Sequence, residues 1–412
     1  MRVKKFLGSW KYPSILLSSI GVSSIGGWVY FIALNLIVLD MMGVIAVSGL
    51  YILRASSTLL TNFWSGSIID RFNKKHLMVW LALFQAVFIA VLPSLSSLWV
   101  IYGIVFIINI ASSMYEPTSM AYITKLIPYH KRKRFNSLRS LIDSGAFVIG
   151  PAIAGMLFMI GTPNFAIYVN AVALFVSALL TILMPNIEKD DFIETKDEKI
   201  SLKVLKHDWL LVADFSRKHV YVMVIYLLFS GVMVLATAID SLEAAFSTEV
   251  LSLTERDYGL LVSIAGVGII VGSLVNIIIV KKVATSWLIG LGSLMISIGY
   301  IIYALSGYFL TAAIGFFVLS FSMAFMNTGF DTFYQNNVPA SVMGRVGSIY
   351  GFIEAFFIIV GTIIFGMMAE LLSIRFVVVL GSLMMFSVTI ILFMFNTQPS
   401  KAAYYAEISD TD

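Results

Sequence analysis

The chain alternates between long apolar runs and short polar or charged stretches. A membrane-crossing helix needs about 20 apolar residues. That rule predicts twelve spans, at 14–38, 45–69, 77–96, 99–124, 137–160, 164–185, 220–245, 258–280, 285–305, 309–331, 345–368 and 375–396. Spans 3 and 4 are joined at Pro93-Ser94, and spans 9 and 10 at Ser306-Gly307. The first run follows Arg2, Lys4 and Lys5, as a secretion signal would. It is longer than the ~7–15 residues of a signal core, so it is read as a retained span.

Composition agrees with the pattern. Of 412 residues, 59% are hydrophobic and only 12% charged, about half the charge of a soluble domain. An ordinary soluble enzyme, a disordered chain and a disulfide scaffold are excluded. Cysteine is absent, so no thiolate metal site or catalytic thiol exists. The four histidines (76, 130, 207 and 219) lie in or beside charged stretches and form no metal cluster. No P-loop and no nucleophile constellation appears, so neither ATP-driven transport nor an enzyme is expected.

The net charge of +4 invites a nucleic-acid reading. Position argues against it, because 23 of the 27 Lys and Arg fall on one side of the predicted spans. Arg256 and Arg375 lie on the other side, and Arg54 and Arg139 within spans. Basic loops stay cytoplasmic, which predicts cytoplasmic termini in a bacterial cell membrane. The expected partners are the lipid bilayer and a small substrate, with no nucleic acid, in a monomer.

Segment 186–218 is the one long charged stretch and divides the chain. It reads as a cytoplasmic linker with helical character near Leu202–Asp214; a solvated charge run is the simplest account. It separates a six-helix bundle at 1–185 from another at 219–396, followed by a cytoplasmic tail at 397–412. The halves resemble each other. An offset of 211 carries Pro128 to Pro339, Arg134 to Arg345, Asp143 to Glu354, Gly150 to Gly361 and Gly155 to Gly366, and one of 210 carries Gly49-Leu50 to Gly259-Leu260. Paired repeats of this kind are transporter architecture, with a site between the halves.

Two motifs carry a family resemblance. After span 2 the chain reads Gly66-Ser-Ile-Ile-Asp70-Arg71-Phe-Asn73-Lys74-Lys75, which resembles the signature loop of the major facilitator superfamily. Gly66, Asp70, Arg71, Lys74 and Lys75 match. Asn73 stands where a Gly is usual, as a residue that tolerates a left-handed backbone. The resemblance implies the all-α twelve-helix fold and a conformational latch in which Asp70 meets the start of helix 11 near Gly344; a basic loop that merely fixes topology is the plainer account. Span 5 contains Gly145, Gly150, Pro151 and Gly155, similar to the Gly-Pro motif of the family's exporters, with Ala146 and Ala154 in place of glycines. Small residues and Pro suit a close, bent seam, here expected against Gly266, Gly268, Gly272 and Ser273 of span 8; generic packing is the alternative. Within the family the chain looks most like macrolide-efflux exporters, although span 4 lacks the Arg many of them carry.

Charges inside spans are costly, ~2.5–3.5 kcal/mol on insertion scales, and so mark function. Proton coupling needs a carboxyl that alternates between charged and neutral, raised by burial and lowered by a nearby cation. The candidates are Glu116, Asp143, Arg139, Arg54 and Glu354, with Glu116 first because it is deep and without a basic neighbour on its helix. Asp143 is equally explained by local pairing with Arg139 at i, i+4. Arg54 either replaces the missing span-4 Arg or pairs with Asp40 or a span-5 acid. Asp331 lies towards the cytoplasmic side. Asp240 and Glu243 either capture a cationic substrate or sit solvated at the rim.

In the family's fold, helices 1, 4, 7 and 10 line the cavity. That implies Trp28, Tyr30, Phe31 and Asn35; Asn109, Met114 and Tyr115; Tyr226, Phe229 and Met233; and Met323, Met326, Asn327, Phe330 and Phe333. Aromatic and Met side chains suit a promiscuous apolar site, although each alone is as readily core or lipid-facing. The expected function is export of a hydrophobic or amphipathic compound in exchange for protons, with protons as coupling ion and no cofactor. Export of one metabolite such as a siderophore or peptide, uptake, and a non-transporting sensor or assembly partner are the competing readings.

Overall fold

The computed structural model describes residues 10–188 and 202–405, with the backbone alone at 43–45, 47, 48, 202, 255 and 256. The predicted linker stretch 189–201, the basic residues at 2–5 and the tail end 406–412 lie outside the described residues, as does the side chain of Arg256. Every regular element described is helical. Eleven of the helices are long and apolar enough to cross a membrane. The other predicted span, 45–69, forms the second part of the helical element Lys11–Arg71, which also holds span 1. The remaining spans are Lys74–Val91, Leu98–Leu126, Tyr129–Ile160, Pro163–Ile182, Val220–Asp240, Glu255–Ile279, Thr285–Ala304, Phe309–Asn337, Met343–Leu371 and Ile374–Asn396. An all-α twelve-span architecture results.

Large apolar side chains stand on the outside, among them Trp80, Trp99, Met159, Ile278 and Leu371. Water would not tolerate so many; a hydrocarbon surround does. Inside, small and polar groups such as Ser19 and Gly26 bring helices close within a core of buried Leu, Ile and Val, as suits a surround in which lipid removes the hydrophobic drive between helices.

The chain forms two compact units that do not follow its order. The first takes the described parts of Met1–Pro128, Gly145–Phe215 and Val338–Phe352; the second takes those of Tyr129–Ser144, Ser216–Asn337 and Ile353–Asp412. Each unit thus holds the start of a helix whose remainder belongs to the other.

In the first unit, Ser19 of span 1 lies 2.8 Å from Ser177 of span 6, and Gly26 lets Asn170 and Ala173 of span 6 approach. Val29, Ala33, Leu50, Ile101, Val105 and Ala154 share its core. In the second unit, Gly299 and Gly315 set the backbones of spans 9 and 10 against each other. A Cβ at Gly299 would lie 2.6 Å from the Leu319 nitrogen.

Candidate functional site

Asp70 lies at the end of the span-2 helix, just outside the membrane segment, and its side chain is fully buried. Its Oδ1 accepts the Gly344 N–H at 2.9 Å, and its Oδ2 accepts the Arg345 N–H at 3.0 Å. Gly344 and Arg345 lie in the first turn of Met343–Leu371, where N–H groups have no partner inside the helix. The carboxylate therefore caps span 11 from another helix and meets the positive end of its dipole. Gly66 makes the approach possible, because a Cβ there would lie 2.6 Å from the Arg345 Cα and 2.7 Å from the Gly344 oxygen. Ser65 and Ser348 hydrogen-bond beside it at 2.9 Å. Burial raises the Asp70 carboxyl to about 6; the Arg345 charge and amide, Lys74 and the Gly344 amide pull it down less.

Around this contact stands a network absent from the sequence reading. Arg71 donates to both carboxylate oxygens of Asp208, at 2.7 and 3.1 Å. Ser67 Oγ donates to Asp208 Oδ2 at 2.5 Å, and Arg345 Nε lies 3.2 Å from Asp208 Oδ1. Asp208 belongs to the linker helix Leu202–Lys218 and is 3% exposed, so the linker is more than a solvated charge run. Burial would raise its carboxyl, but the bonds from Arg71 and Ser67 and the two guanidinium charges outweigh burial and hold it below the usual aspartate range. Glu188 does the same work for span 3: it accepts the Lys74 N–H at 2.7 Å and pairs with the ammonium groups of Lys74 (3.3 Å) and Lys125 (2.8 Å). Lys74 is 2% exposed, whereas Lys75 is half-buried. A lone acid opposing a distant basic residue leaves no local period, so neither Asp208 nor Glu188 has a sequence signal.

Asn73 corrects one expectation. Its φ is −63°, in ordinary extended backbone rather than the left-handed region. A new helix starts at Lys74, and Asn73 caps it by accepting the His76 N–H at 3.1 Å, the preferred use of Asn at that position.

Within the Gly-Pro motif, Gly150 packs on Trp28 and the Ile25 carbonyl of span 1. Gly268 and Gly272 of span 8 face Phe317 and Phe321 of span 10, where each would clash if it carried a Cβ. Span 5 does meet span 8 at Ser144 and Ser273, 2.8 Å apart. Gly145 and Gly155 have open space around them, and Pro151 is exposed.

The acids divide by surroundings. Glu354 of span 11 accepts from Ser230 Oγ of span 7 at 2.5 Å. The neighbouring Phe229 lies stacked on Phe330 of span 10, with centroids 3.6 Å apart and planes 3° apart. Tyr226 meets Phe330 edge-on at 5.3 Å. Glu116 and Arg54 are exposed, as is Asp40. Arg139 and Asp143 pair at 3.7 Å, and Asp331 is half-buried. Asp240 accepts from Tyr300 at 2.7 Å and Glu243 from Tyr258 at 2.9 Å, so both have hydrogen-bond donors rather than water alone.

The predicted cavity residues fall in both units. In the first, Trp28 meets Phe147 and Phe31 edge-on, Phe31 meets Tyr51, and Asn109 is half-buried. The Tyr30 hydroxyl is buried, and Tyr115 packs beside Leu81 and Met114. In the second, Asn327 is half-buried on the helix that carries Phe330, while Met326 and Phe333 are buried against Gly292 and Tyr405. These last two fill the bundle interior rather than lining a cavity. A separate cavity of about 660 Å³ in the second unit is lined by Glu249, Glu370, Ser373 and Arg375 among others, and contains none of the predicted residues.

An all-helical frame of twelve apolar spans defines a polytopic membrane protein. Residues 15–362 match the family model of the Major Facilitator Superfamily, and the chain belongs to that family. It is 26% identical over 181 residues to the uncharacterized MFS-type transporter YfiS of Bacillus subtilis, covering 43% of each chain. It is 30% identical over 94 residues to the multidrug resistance protein MdtH of Yersinia enterocolitica, covering 23% of each. The chain thus aligns with less than half of the length of these relatives. A crystal structure of a bacterial homologue of the iron transporter ferroportin, in an outward-facing state, shares the fold (TM-score 0.73, 14% identity, 94% of this chain and 100% of that one). So does the transporter FucP in its outward conformation (TM-score 0.71, 14% identity, 94% and 98%).

Proposed function

We propose that the chain exports hydrophobic or amphipathic compounds from the cytoplasm by proton antiport with alternating access. The carrying observation is the Glu354–Ser230 bond one residue from the stacked Phe229–Phe330 pair. An acid that gains and loses a proton beside an apolar platform lets protonation and substrate occupancy compete, which is what antiport requires. Substrate binds the aromatic faces while Glu354 is charged; a proton from outside neutralises Glu354 and resets the carrier. The Asp70 contact with span 11 serves as the cytoplasmic clasp that closes and opens in each cycle. The Gly-Pro motif and the local likeness to MdtH support export over uptake.

Purified protein in liposomes, loaded with a fluorescent lipophilic cation under an imposed pH gradient, tests this reading. Glu354→Gln is expected to abolish gradient-driven movement while binding persists. Loss with Glu116→Gln but not Glu354→Gln would move coupling to span 4. Failure of every lipophilic compound tried would favour an exporter of one metabolite.

A further inference from the structure

The linker helix Leu202–Lys218 is built into the clasp. Asp208 faces two guanidinium groups, and Asp70 faces one of the same two. The set comprises two carboxylates and two Arg, with no net charge, and both acids are almost wholly buried. Removing Asp208 would leave two buried cations against one acid, the costly way to break such a set. The next residue reinforces the seat. Trp209 lies 5.7 Å from the Phe63 ring of span 2 and 6.0 Å from the Phe352 ring of span 11, and its Nε1 donates to the Phe63 carbonyl at 3.4 Å. One linker turn thus touches both helices that Asp70 joins, by charge and by aromatic contact.

We propose that Asp208, with Trp209, positions the clasp: the linker helix is a strut that must leave its seat before spans 2 and 11 can part. Asp208 acts through Arg71 and Arg345 and touches no substrate. The proposal rests on the reading of Asp70 as a clasp that opens during transport. The linker then sets how often that end opens, and a ligand or modification that lifts the helix would raise the open fraction.

The test exploits the absence of cysteine. Ser65 and Ser19 are both fully buried, Ser65 at the clasp and Ser19 between spans 1 and 6. In the full-length protein, Ser65→Cys reports opening through its rate of maleimide labelling, and Ser19→Cys reports integrity of the bundle. Asp208→Asn is expected to raise labelling at 65 at least about tenfold, leave labelling at 19 unchanged, and be rescued in part by Asp208→Glu. Asp70→Ala, which deletes the acceptor, should do the same at 65. A rise with Asp70→Ala but none with Asp208→Asn overturns the strut and leaves the clasp standing. A rise with neither overturns the clasp reading as well. Should Asp208→Asn expose position 19 too, Trp209→Ala in the same two backgrounds decides, a rise at 65 alone supporting the strut and no rise at 65 overturning it.

Discussion

Asp70 and Gly344 are 274 positions apart, yet the carboxylate of one accepts the backbone N–H of the other at 2.9 Å. The contact joins the end of one predicted span to the beginning of another, and the bond is charge-assisted.

Gly66→Ala is expected to disable the clasp. The added methyl would meet backbone atoms of Gly344 and Arg345 at 2.6–2.7 Å, and backbone cannot swing aside as a side chain does. Overpacking of this kind costs about 1–3 kcal/mol, so liposome flux should fall roughly tenfold. Gly145→Ala, with nothing within 4 Å of the new methyl, should transport as the parent does. Equal loss in both variants would refute the steric argument.

Acid should tighten the clasp. Burial in the closed contact raises Asp70 from 3.8 to about 6, so closing takes up a proton between those values. The closed form is therefore gained as pH falls through about 6, by about tenfold in the closed-to-open ratio between pH 7.5 and 5. Asp208, held below its usual value, opposes this only at still lower pH. Spin labels on cysteines replacing Phe72 and Ser341, both exposed, read the ratio as a distance distribution. A short-distance population that shrinks on acidification would contradict the assignment.

Phe229→Ala should weaken binding of aromatic, lipophilic substrates. Stacked rings contribute about 0.5–1.5 kcal/mol beyond their buried area, so KM should rise roughly three- to tenfold while the gradient-driven maximum rate changes less. A variant that loses rate with KM unchanged would place Phe229 outside the substrate path.

Glu188→Ala should destabilise the fold rather than alter specificity. It strands the buried Lys74 ammonium and frees the Lys74 N–H, a loss of about 3–5 kcal/mol for a broken buried pair. Tm in detergent should drop by several degrees, with partial recovery in the double variant that adds Lys74→Met. An unchanged Tm would show that the pair contributes nothing net.

The spans were legible because hydrocarbon imposes its length on any helix crossing it. The meeting of Asp70 with span 11 was legible only through the family resemblance, which pairs the acid of the motif with the start of helix 11. What stayed hidden depends on the facing surface. Gly268 and Gly272 announce a close approach but not to which helix, and it is span 10 that arrives. Asn73 suits both a left-handed turn and a cap, and the restart of helix at Lys74 chose the cap. Glu116 lies deep along its helix and its side chain is exposed, but depth along a helix says nothing of azimuth. Asp208 sits among Lys206, His207 and Trp209 with nothing local to single it out; only the distant Arg71 and Arg345 give it meaning.

The Asp70 contact also divides its specification unequally between its two sides. Span 2 contributes a side chain, which one substitution can delete. Span 11 contributes main-chain N–H groups, which every residue but proline possesses. Most replacements of the Arg345 side chain would thus spare the amide bond, whereas Arg345→Pro would erase a donor outright. At Gly344 the limit is bulk instead, since a Cβ would come within 2.6 Å of Asp70 Oδ1. Mutational tolerance of the two amide bonds is therefore lopsided: strict chemistry at Asp70, strict size at Gly344, and at 345 only a main-chain donor, the guanidinium there answering to its separate pairing with Asp208.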